Sequence, residues 1–440
     1  MIREIKIKRI LSFILLLSLI ISMIGCTNNG NTQGNANTDG NNQGSDTVKI
    51  GLIYPLTGPA AKTGKEYVAA YELARDIINE KYDLDLPFAE TEGLPNLNGA
   101  KIEFVVADHK GQPELGLSET ERLITQEKVV AVMGAHYSSV TKTASNAAER
   151  LQIPFLCPDS TSKALTERGF KWFFRTGPHD GVFVTDTYKF MDELNDNNNA
   201  GIKTIAIVTE DTEFGMLLAK EQVEQAADYG YEIVENITYP ANSTNLTSEV
   251  IKLKEANPDV VVMASYTSDA ILFLKTFKEQ NFAPKAIIGQ RAGFIAPELF
   301  EALGSTADYI YTTNVWALDL AKANPVIEEV NNLFKERTGV DLTGDYARAF
   351  TGLFAMADAI NRAGSTDPQA LQTALLETDI KNDGGLIVPW EGIKFDQETH
   401  QNIYSSGIIT QAIDGSYQTV YPIANKAAEA IYPMPEWNLR

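Results

Sequence analysis

Cysteine and histidine are scarce in this chain of 440 residues, and their scarcity excludes several kinds of site. The two cysteines cannot supply a thiolate zinc site, and none of the four histidines pairs with another at metal-ligand spacing. A Gly-x-Ser-x-Gly nucleophile elbow is also absent from the sequence. His136 lies two residues before Ser138, but this spacing alone gives no base–nucleophile geometry, so His136 is predicted to be a loop residue. We therefore expect no enzyme, no metal site and no cofactor.

Basic residues are few as well. The chain has 37 Lys and Arg against 58 Asp and Glu, a formal net charge of −21. Such an excess of acid argues against binding to nucleic acid and against electrostatic attachment to anionic lipid. It is compatible with a soluble, exported protein.

Long hydrophobic runs are limited to the N-terminus. A basic start, MIREIKIKR, precedes an uncharged run from Ile10 to Gly25, which is about 16 residues and shorter than the roughly 20 that a spanning helix needs. This pattern predicts a secretory signal peptide over residues 1–25, with an uncleaved signal anchor as the alternative. The sequence MIGC resembles the bacterial lipobox, with Met23 in place of the usual leucine, which implies lipidation of Cys26. Cys157 would then have no partner for a disulfide.

The segment after the lipobox is rich in Asn and Gly. From Thr27 to Asp46 it contains no large apolar residue, so it cannot bury enough surface to offset its ordering entropy. We expect residues 26–47 to form a flexible tether between a lipid anchor on the outer face of the cytoplasmic membrane and a folded body.

The stretch GPAAKTGKE, which follows the first apolar run of the folded body, is typical of a phosphate-binding loop at first sight. The spacing excludes this reading, because five residues separate Gly58 from Gly64 where the phosphate loop has four. Glu66 also stands where a Ser or Thr would bind magnesium, and its carboxylate would repel phosphate. We therefore expect a sharp strand-to-helix turn that needs no nucleotide.

Short, unbroken apolar runs recur along the body and alternate with helical patterns. The runs read VKIGLIYPL, KIEFVVAD, VVAVMGA, IPFLCPD, KTIAIVTED, VVVMASY and KAIIGQ. Unbroken runs of Val and Ile favour strands that are buried on both faces, and alternation with helices predicts repeated βαβ units. In the helix EYVAAYELARDIINEK, Tyr67, Tyr71 and Ile78 fall on one face, while Glu66 is expected to face water. The fold class predicted is α/β.

Ligands of such sheets bind at the carboxyl ends of the strands. These ends read TGPAAKTG, HYSSVT, DSTS, EDTEFG, SYTSDA and GQRAGF, and they are rich in Ser, Thr, Gly and aromatic residues. Polar turn residues that only punctuate the chain are the alternative for any single end. Six ends of similar character favour a binding site.

The order and spacing of several motifs resemble one family, the substrate-binding lipoproteins of branched-chain amino acid ABC transporters, which have the type I periplasmic-binding-protein fold. The resemblance runs from about Val48 to about Pro433. The motifs that carry it are YPLTGPAAKTG, ADHKGQP, VMGAHYSSVTKTAS, IPFLCPDSTSKALTERG, FFRTGPHD, IVTEDTEFG and GIKFDQET. It implies two lobes, each a parallel sheet flanked by helices, which are joined by three crossovers and close on a ligand.

The resemblance places the crossovers near His179, Asn314 and Asn402. Lobe 1 would then comprise residues 48–178 and 314–402, and lobe 2 residues 179–313 and 403–440. The implied function is to capture a small amino acid or related carboxylate and deliver it, as a monomer, to the permease and ATPase subunits of an importer. The alternative is a ligand-sensing receptor without transport, and a gene neighbourhood encoding permeases and ATPases would distinguish the two.

The resemblance also assigns ligand-binding residues to the strand ends. They are Thr63, Ser138, Asp159, Ser160, Thr161, Phe214, Tyr266 and Arg291. In relatives, the residues matching Ser138 and Thr161, with a main-chain carbonyl at the position of Asp159, hold an amino acid's carboxylate and ammonium. Ser138 opens a helix, whose N-terminus attracts a carboxylate, but it could also be an N-cap. Phe214 and Tyr266 match cleft aromatics, with ordinary core residues as the alternative.

Arg291 is a departure from the family pattern. It stands where relatives have an acidic residue for the ligand ammonium, and a guanidinium there would repel an ammonium. In one interpretation Asp159 supplies the missing carboxylate and Arg291 takes an anionic or carbonyl group of the ligand. In another, Arg291 pairs with Asp159 or Glu213 and contacts no ligand. A register error in the ungapped alignment is the third. The first interpretation predicts a small polar carboxylate rather than leucine, isoleucine or valine.

Overall fold

A computed structural model describes residues 47–440 of the chain. The predicted signal peptide of residues 1–25, the predicted lipid site Cys26 and the tether up to Asp46 lie outside the described residues. The first strand begins at Thr47, the residue at which the tether is predicted to end. Between residues 47 and 440, none of the helices combines the length and the hydropathy that crossing a membrane requires.

Strands and helices alternate through most of the described chain. The strands are β1 Thr47–Tyr54, β2 Lys101–Asp108, β3 Ala131–Gly134, β4 Phe155–Cys157, β5 Phe173–Arg175, β6 Thr204–Glu210, β7 Glu232–Tyr239, β8 Val260–Ala264, β9 Ala286–Gln290, β10 Tyr311–Asn314, β11 Asp379–Lys381, β12 Gly392–Lys394, β13 Ile408–Ile413 and β14 Ser416–Tyr421. The helices are α1 Ala61–Asn79, α2 Pro113–Thr125, α3 Ser138–Leu151, α4 Asp180–Asn198, α5 Glu213–Ala226, α6 Thr247–Ala256, α7 Thr267–Glu279, α8 Pro297–Leu303, α9 Val326–Thr338, α10 Gly344–Ala363 and α11 Pro368–Leu376.

The first sheet is parallel throughout, with the strand order β2-β1-β3-β4-β5. Ile50 and Leu52 on one face of β1 and Ile53 on the other are fully buried, as expected of a strand covered by helices on both faces. The apolar faces of α1, α9, α10 and α11 share one core with this sheet. The helices that cover the first sheet thus come from both the beginning and the later part of the chain.

The second sheet has seven strands in the order β14-β13-β10-β9-β8-β6-β7. Five of them are parallel, and β13 and β14 add an antiparallel edge. The helices α4 to α8 contribute to a separate core around this sheet. Parallel sheets flanked by helices, as the sequence predicts, are therefore confirmed, and the second sheet carries the antiparallel edge in addition.

The chain passes between the two sheets three times. It leaves the first sheet at Arg175, and the next helix, α4, packs against α5 and β13. It leaves the second sheet at Asn314 and enters the first core at Val315. It returns through residues 395–407 to β13. The first and third passages are joined, because the Asn402 amide donates to the carbonyl oxygen of Arg175 at 2.9 Å.

The turn between β1 and α1 explains the glycines of the GPAAKTG stretch. Gly58 has a φ of +88°, and α1 already begins at Ala61. A Cβ at Gly64 would lie 2.0 Å from the carbonyl oxygen of Pro55, so only glycine permits this close approach of helix and strand. The expectation that Glu66 faces water is wrong: Glu66 is buried and its carboxylate accepts a hydrogen bond from the hydroxyl of Tyr346 on α10.

Candidate functional site

Loops at the carboxyl ends of strands from both sheets surround a small cavity of about 20 Å³. The lining side chains come from the loops or helices after β3, β4, β6, β8 and β9, and from the first turns of α10. They are His136, Ser138, Asp159, Thr161, Phe214, Tyr266, Arg291, Ala292, Asp345 and Arg348. The cavity is therefore made by parts of the chain that belong to different sheets, and four of its ten lining residues are charged.

Six of the eight predicted ligand-binding residues meet at this cavity: Ser138, Asp159, Thr161, Phe214, Tyr266 and Arg291. Thr63 and Ser160 are not part of the lining. Thr63 is buried in the first turn of α1. The hydroxyl of Ser160 lies 2.6 Å from the hydroxyl of Thr141 and donates to the carbonyl oxygen of His136 at 3.1 Å. Contact with a ligand stays a prediction for all eight residues.

Four lining residues were not predicted from the sequence. His136 does lie in the loop after β3, where it was expected, with its Nδ1 3.3 Å from the Tyr67 hydroxyl. Burial lowers its pKa, which favours the neutral imidazole. Ala292 follows Arg291 directly. Asp345 and Arg348 lie on α10, which directly follows α9 and not a strand, so the strand ends in the sequence do not point to them.

Ser138 is the first residue of α3, and Tyr137 precedes it as the N-cap residue. The alternative that Ser138 is an N-cap is therefore wrong. Its hydroxyl is buried and accepts a hydrogen bond from the Ser162 amide at 3.4 Å. The N-terminus of this 14-residue helix carries a partial positive charge. It borders the cavity next to the loop that carries Thr161.

Arg291 is 2 % exposed and pairs with Asp180, the first residue of α4. The Arg291 Nη2 lies 2.7 Å from the Asp180 Oδ1 and donates to the Thr161 hydroxyl at 2.8 Å. The guanidinium also lies over the ring of Phe183, 3.8 Å from its centre. Burial lowers the pKa of Arg291 to about 10, although the neighbouring Asp180 opposes this shift. Burial likewise raises the pKa of Asp180, against the effect of Arg291.

Neither partner predicted for Arg291 is its partner in the structure. Asp159 accepts instead from the Tyr54 hydroxyl at 2.9 Å and from the Ser160 amide at 2.8 Å. Glu213 pairs with Lys142 at 2.8 Å. The alternative interpretation, in which Arg291 pairs with Asp159 or Glu213, is therefore wrong as to the partner. Arg291 does line the cavity, and its contact with a ligand stays a prediction.

Arg348 is a second buried guanidinium at the cavity. Its Nη1 donates to the main-chain oxygen of Asp159 at 2.8 Å, and its Nη2 donates to the carboxylate of Asp345. Burial opposes the charge of Arg348, but Asp345 and other neighbours outweigh it, so its pKa is raised above the ordinary arginine value. Arg348 therefore remains charged and joins α10 to the loop after β4.

A third buried arginine, Arg175, forms hydrogen bonds with the main chain of the loop after β4. Arg175, at the end of β5, is fully buried. Its Nη1 donates to the main-chain oxygens of Ser160 and Ser162 at 3.1 and 2.6 Å, and its Nε donates to the Gln401 side chain at 2.6 Å. Because Gln401 lies in the third passage between the sheets, Arg175 connects the cavity loop to that passage.

Aromatic rings close one side of the cavity. The ring of Tyr266 lies 4.6 Å from that of Tyr137, 5.6 Å from that of Phe214 and 5.7 Å from that of His136. Phe214 follows β6 and Tyr266 follows β8, both in the second sheet, whereas Tyr137 and His136 follow β3 in the first. The rings therefore form an apolar contact across the two sheets.

No cluster of three or more His, Cys, Asp or Glu side chains arranged to hold a metal ion occurs within residues 47–440. Cys157 is a free, buried thiol, and burial raises its pKa to about 12. A thiol in this environment stays protonated and is a poor nucleophile.

A family model described as "Periplasmic binding protein" matches residues 47–416, which is most of the chain. The chain belongs to the periplasmic binding protein family. The family resemblance stated from the sequence motifs is thereby confirmed. Members of this family are substrate-binding proteins of transporters, so the chain is a ligand-binding protein of extracytoplasmic type and not an enzyme.

Known relatives agree with this assignment. A protein named Leu/Ile/Val-binding protein homolog 7, from Brucella abortus, is 28% identical over 397 residues, covering 88% of this chain and 95% of the relative. The branched-chain amino acid transporter substrate-binding protein LivJ of Streptococcus pneumoniae, solved with isoleucine, has a TM-score of 0.71 at 22% identity, covering 88% of this chain and 100% of LivJ.

A solute-binding protein of an ABC transporter from Rhodopseudomonas palustris BisB5, solved with 3,4-dihydroxybenzoic acid, is also similar. Its TM-score is 0.70 at 22% identity, and the alignment covers 85% of this chain and 95% of that protein. At such identities the two solved structures show the fold alone. The two-lobed fold expected from the sequence is confirmed by them.

Proposed function

We propose that this protein is the extracytoplasmic substrate-binding component of an ABC importer, which captures a small amino acid or related carboxylate and delivers it to a permease. The observation that carries the proposal is the cavity, because its lining combines strand ends of both sheets with buried guanidiniums and a helix N-terminus. Such groups bind carboxylates, by charge-assisted hydrogen bonds and by the helix dipole.

The ligand enters when the two lobes separate. A cavity of about 20 Å³ has room for about one water molecule, because one water needs about 10–15 Å³ of such a volume. We assign residues 48–178 and 314–402 to lobe 1, and residues 179–313 and 403–440 to lobe 2, with hinges near His179, Asn314 and Asn402. The two separate cores and the three chain passages support this division.

The ligand is a small polar carboxylate rather than leucine, isoleucine or valine. Solved relatives hold isoleucine in one case and 3,4-dihydroxybenzoic acid in another, so the fold itself accepts both kinds of acid. In this chain Arg291 and Arg348 bring two buried positive charges to the cavity. A ligand with acceptor groups matches them better than a purely aliphatic side chain does.

The protein acts as a monomer, tethered to the outer face of the cytoplasmic membrane by the lipid on Cys26. A permease and an ATPase of the importer are its partners. The lipobox and the Asn/Gly-rich segment of the sequence support the anchor, and the family supports the partners.

A binding panel tests the proposed function. Full-length protein in mild detergent is heated with amino acids and small carboxylic acids, because a ligand that binds only the native state raises the melting temperature. We expect stabilisation by acidic or amide-bearing compounds or other small carboxylates. Clear stabilisation by leucine, isoleucine or valine, with none by polar carboxylates, contradicts the proposed ligand class. Loss of uptake of the identified ligand on deletion of the gene tests transport.

Closure is tested separately by a distance measurement. Spin labels are attached through Lys65→Cys on α1 and Met216→Cys on α5, two exposed positions on the two sides of the cavity. The buried thiol of Cys157 is protected from the label. We expect a shorter and narrower distance distribution at saturating ligand, and an unchanged distribution contradicts the hinge.

A further inference from the structure

A second cavity, which we call the passage cavity, lies beside the second passage of the chain between the two sheets. Its volume is about 330 Å³, and its lining includes Asn314, the residue at which the chain leaves the second sheet. It shares no lining residue with the cavity described above. The passage cavity is therefore a separate feature of the fold, and the proposed function does not use it.

The walls of the passage cavity are largely apolar and come from both cores. Trp316, Ala317 and Leu342 belong to the core of the first sheet. Phe300 packs against the core of the second sheet, and its ring lies 5.1 Å from that of Tyr417 on β14. Small-molecule sites usually have volumes of about 300–1,000 Å³ and are lined mainly by apolar and aromatic side chains. The passage cavity has both properties.

Hydrogen bonds join the two walls. Asp319, which follows the second passage, accepts from the amide of Thr419 on β14 at 2.6 Å and from the Thr419 hydroxyl at 2.8 Å. On the other wall, the hydroxyl of Tyr417 donates to the main-chain oxygen of Phe294. Because the walls are fixed by these bonds, the cavity is already formed before a ligand enters, which lowers the entropic cost of binding.

The charged groups of the lining are paired with one another or with a neighbour. Glu301 pairs with Lys62 at 2.6 Å, and Lys335 pairs with Asp341 at 3.0 Å. The side-chain oxygen of Asn314 accepts from the next main-chain amide at 2.9 Å. A charged ligand would lose its water in this apolar cavity without gaining an unpaired partner, which is costly. A neutral ligand avoids this cost.

We propose that the passage cavity is a second binding site, which takes a small neutral aromatic molecule of about two fused rings. An apolar cavity of about 150 Å³ holds benzene, so the volume here has room for roughly two rings. The rings of Phe300, Trp316 and Tyr417 provide faces and edges against which an aromatic ligand packs. Release of water from these walls favours binding.

Indole is the probe, because it is neutral and has two fused rings. Full-length protein in mild detergent is labelled with 5-fluorotryptophan at its four tryptophans, and free indole is fixed by dialysis. Fluorine NMR follows the titration, and Trp316→Phe identifies the Trp316 signal. We expect a saturable shift of this signal with a Kd below about 1 mM, while the signals of Trp172, Trp390 and Trp437 stay in place. No shift, or a shift confined to the other three tryptophans, overturns the proposal.

Charged analogues test the class of ligand. Indole-3-acetate adds a negative charge to the same rings, and tryptamine adds a positive one. Each should displace indole from the passage cavity only at concentrations about tenfold or more above those of a neutral competitor, 3-methylindole. Displacement by either charged compound as readily as by 3-methylindole overturns the neutral class.

A pair of variants tests the location of the site. Leu318 lines the passage cavity and is 38 % exposed, so Leu318→Glu brings a charge into the lining without disturbing a core. This variant should bind indole at least tenfold more weakly. Ile251→Glu is the matched control, since Ile251 is 43 % exposed on α6 and does not line the cavity.

Two results with these variants contradict the proposal. One is wild-type affinity for indole in a Leu318→Glu protein with normal circular dichroism, and the other is an equal loss of affinity in both variants. The panel of carboxylic acids reports on the first cavity and indole on the second, so failure of either proposal leaves the other standing.

Discussion

Lys142 on α3 and Glu213 on α5 form an ion pair, in which the Lys142 Nζ lies 2.8 Å from the Glu213 Oε2. The pair joins a helix of the first sheet to a helix of the second. Two further pairs have the same polarity. Lys62 on α1 lies 2.6 Å from Glu301, and Lys163 lies 3.4 Å from Glu221. In all three pairs the lysine belongs to the first-sheet side and the glutamate to the second.

These three cross-sheet pairs predict that ligand binding depends on salt. Each half-exposed pair contributes about 0.2–1 kcal/mol and is screened by ions, so together they favour the closed form by about 0.6–3 kcal/mol. We expect ligand affinity to fall about tenfold between roughly 0.05 and 0.5 M NaCl. Replacement of Lys62, Lys142 and Lys163 by Gln should weaken binding and flatten this salt dependence.

Lys220→Gln is the control for the salt experiment. Lys220 pairs with Glu224 at 3.6 Å within α5, so its pair does not cross between the sheets. This variant should keep the salt dependence of the wild type. A triple variant with an undiminished slope would show that the cross-sheet pairs do not contribute to closure.

The Arg291–Asp180 pair predicts a stability difference between single and double variants. Arg291→Met leaves the buried Asp180 without its cation, and the loss of one partner of a buried pair costs about 3–5 kcal/mol in the free energy of unfolding. Arg291→Met with Asp180→Asn removes the uncompensated charge and should recover most of this loss. Urea unfolding curves measure both values, and a double variant no more stable than the single one contradicts the prediction.

Ser138 is expected to act on the ligand more than on the fold. Ser138→Ala should weaken ligand binding by about 1–3 kcal/mol, because the ligand carboxylate loses a buried donor. The melting temperature without ligand should change little, since Tyr137 and not Ser138 is the N-cap residue. Ser139→Ala, at the adjacent half-buried position, is the control. An unchanged affinity of Ser138→Ala would exclude contact between this hydroxyl and the ligand.

Asp186 on α4 predicts a pH dependence of stability. Burial raises the pKa of Asp186 to about 6, above the value of about 4 for an unfolded aspartate. The folded state therefore holds this proton more tightly, and the contribution of Asp186 to stability is lost as the pH rises from about 4 to 6. A shift of this size corresponds to about 3 kcal/mol.

The comparison of wild type with Asp186→Asn isolates this contribution. Relative to the wild type, the variant should gain stability between pH 4 and 6, and the gain should stay constant above pH 7. Burial lowers the pKa of His109 to about 4, so its contribution to the stability of the folded state is lost as the pH falls, the opposite direction to Asp186. This contribution is the same in the wild type and in Asp186→Asn, so it cancels in the comparison. A difference in unfolding free energy that does not change with pH would contradict the raised pKa.

Cys26 is expected to carry the lipid anchor. Cys26→Ala should abolish labelling by a radioactive fatty acid and leave the precursor uncleaved, because the lipobox cysteine is the residue that is modified. Ser22→Ala, in the preceding apolar segment, is the control and should be processed normally. Normal lipid labelling of Cys26→Ala would refute the assignment.

The apolar runs of the sequence predicted seven strands, but they missed β5, β10 and β13, which are also buried. All seven runs are strands in the structure, β1 to β4 with β6, β8 and β9. The strand β7, Glu232–Tyr239, was not predicted, since it lies at the edge of its sheet and exposes alternate residues, so no unbroken apolar run marks it. β10 was missed for a different reason: it is buried, but its sequence YTTN is mostly polar.

The sequence by itself determined which strand ends carry polar and aromatic side chains, since parallel strands place their carboxyl ends at one edge and six predicted residues meet there. Only the tertiary structure decided how the charges are paired. Arg291 pairs with Asp180, which is 111 residues away in the chain. Asp159 accepts hydrogen bonds from Tyr54 and Arg348, which also lie far from Asp159 in the chain. Such pairs depend on side-chain direction, which for Arg291 follows from a backbone φ of +57°, and on helices that pack long after the strands in sequence.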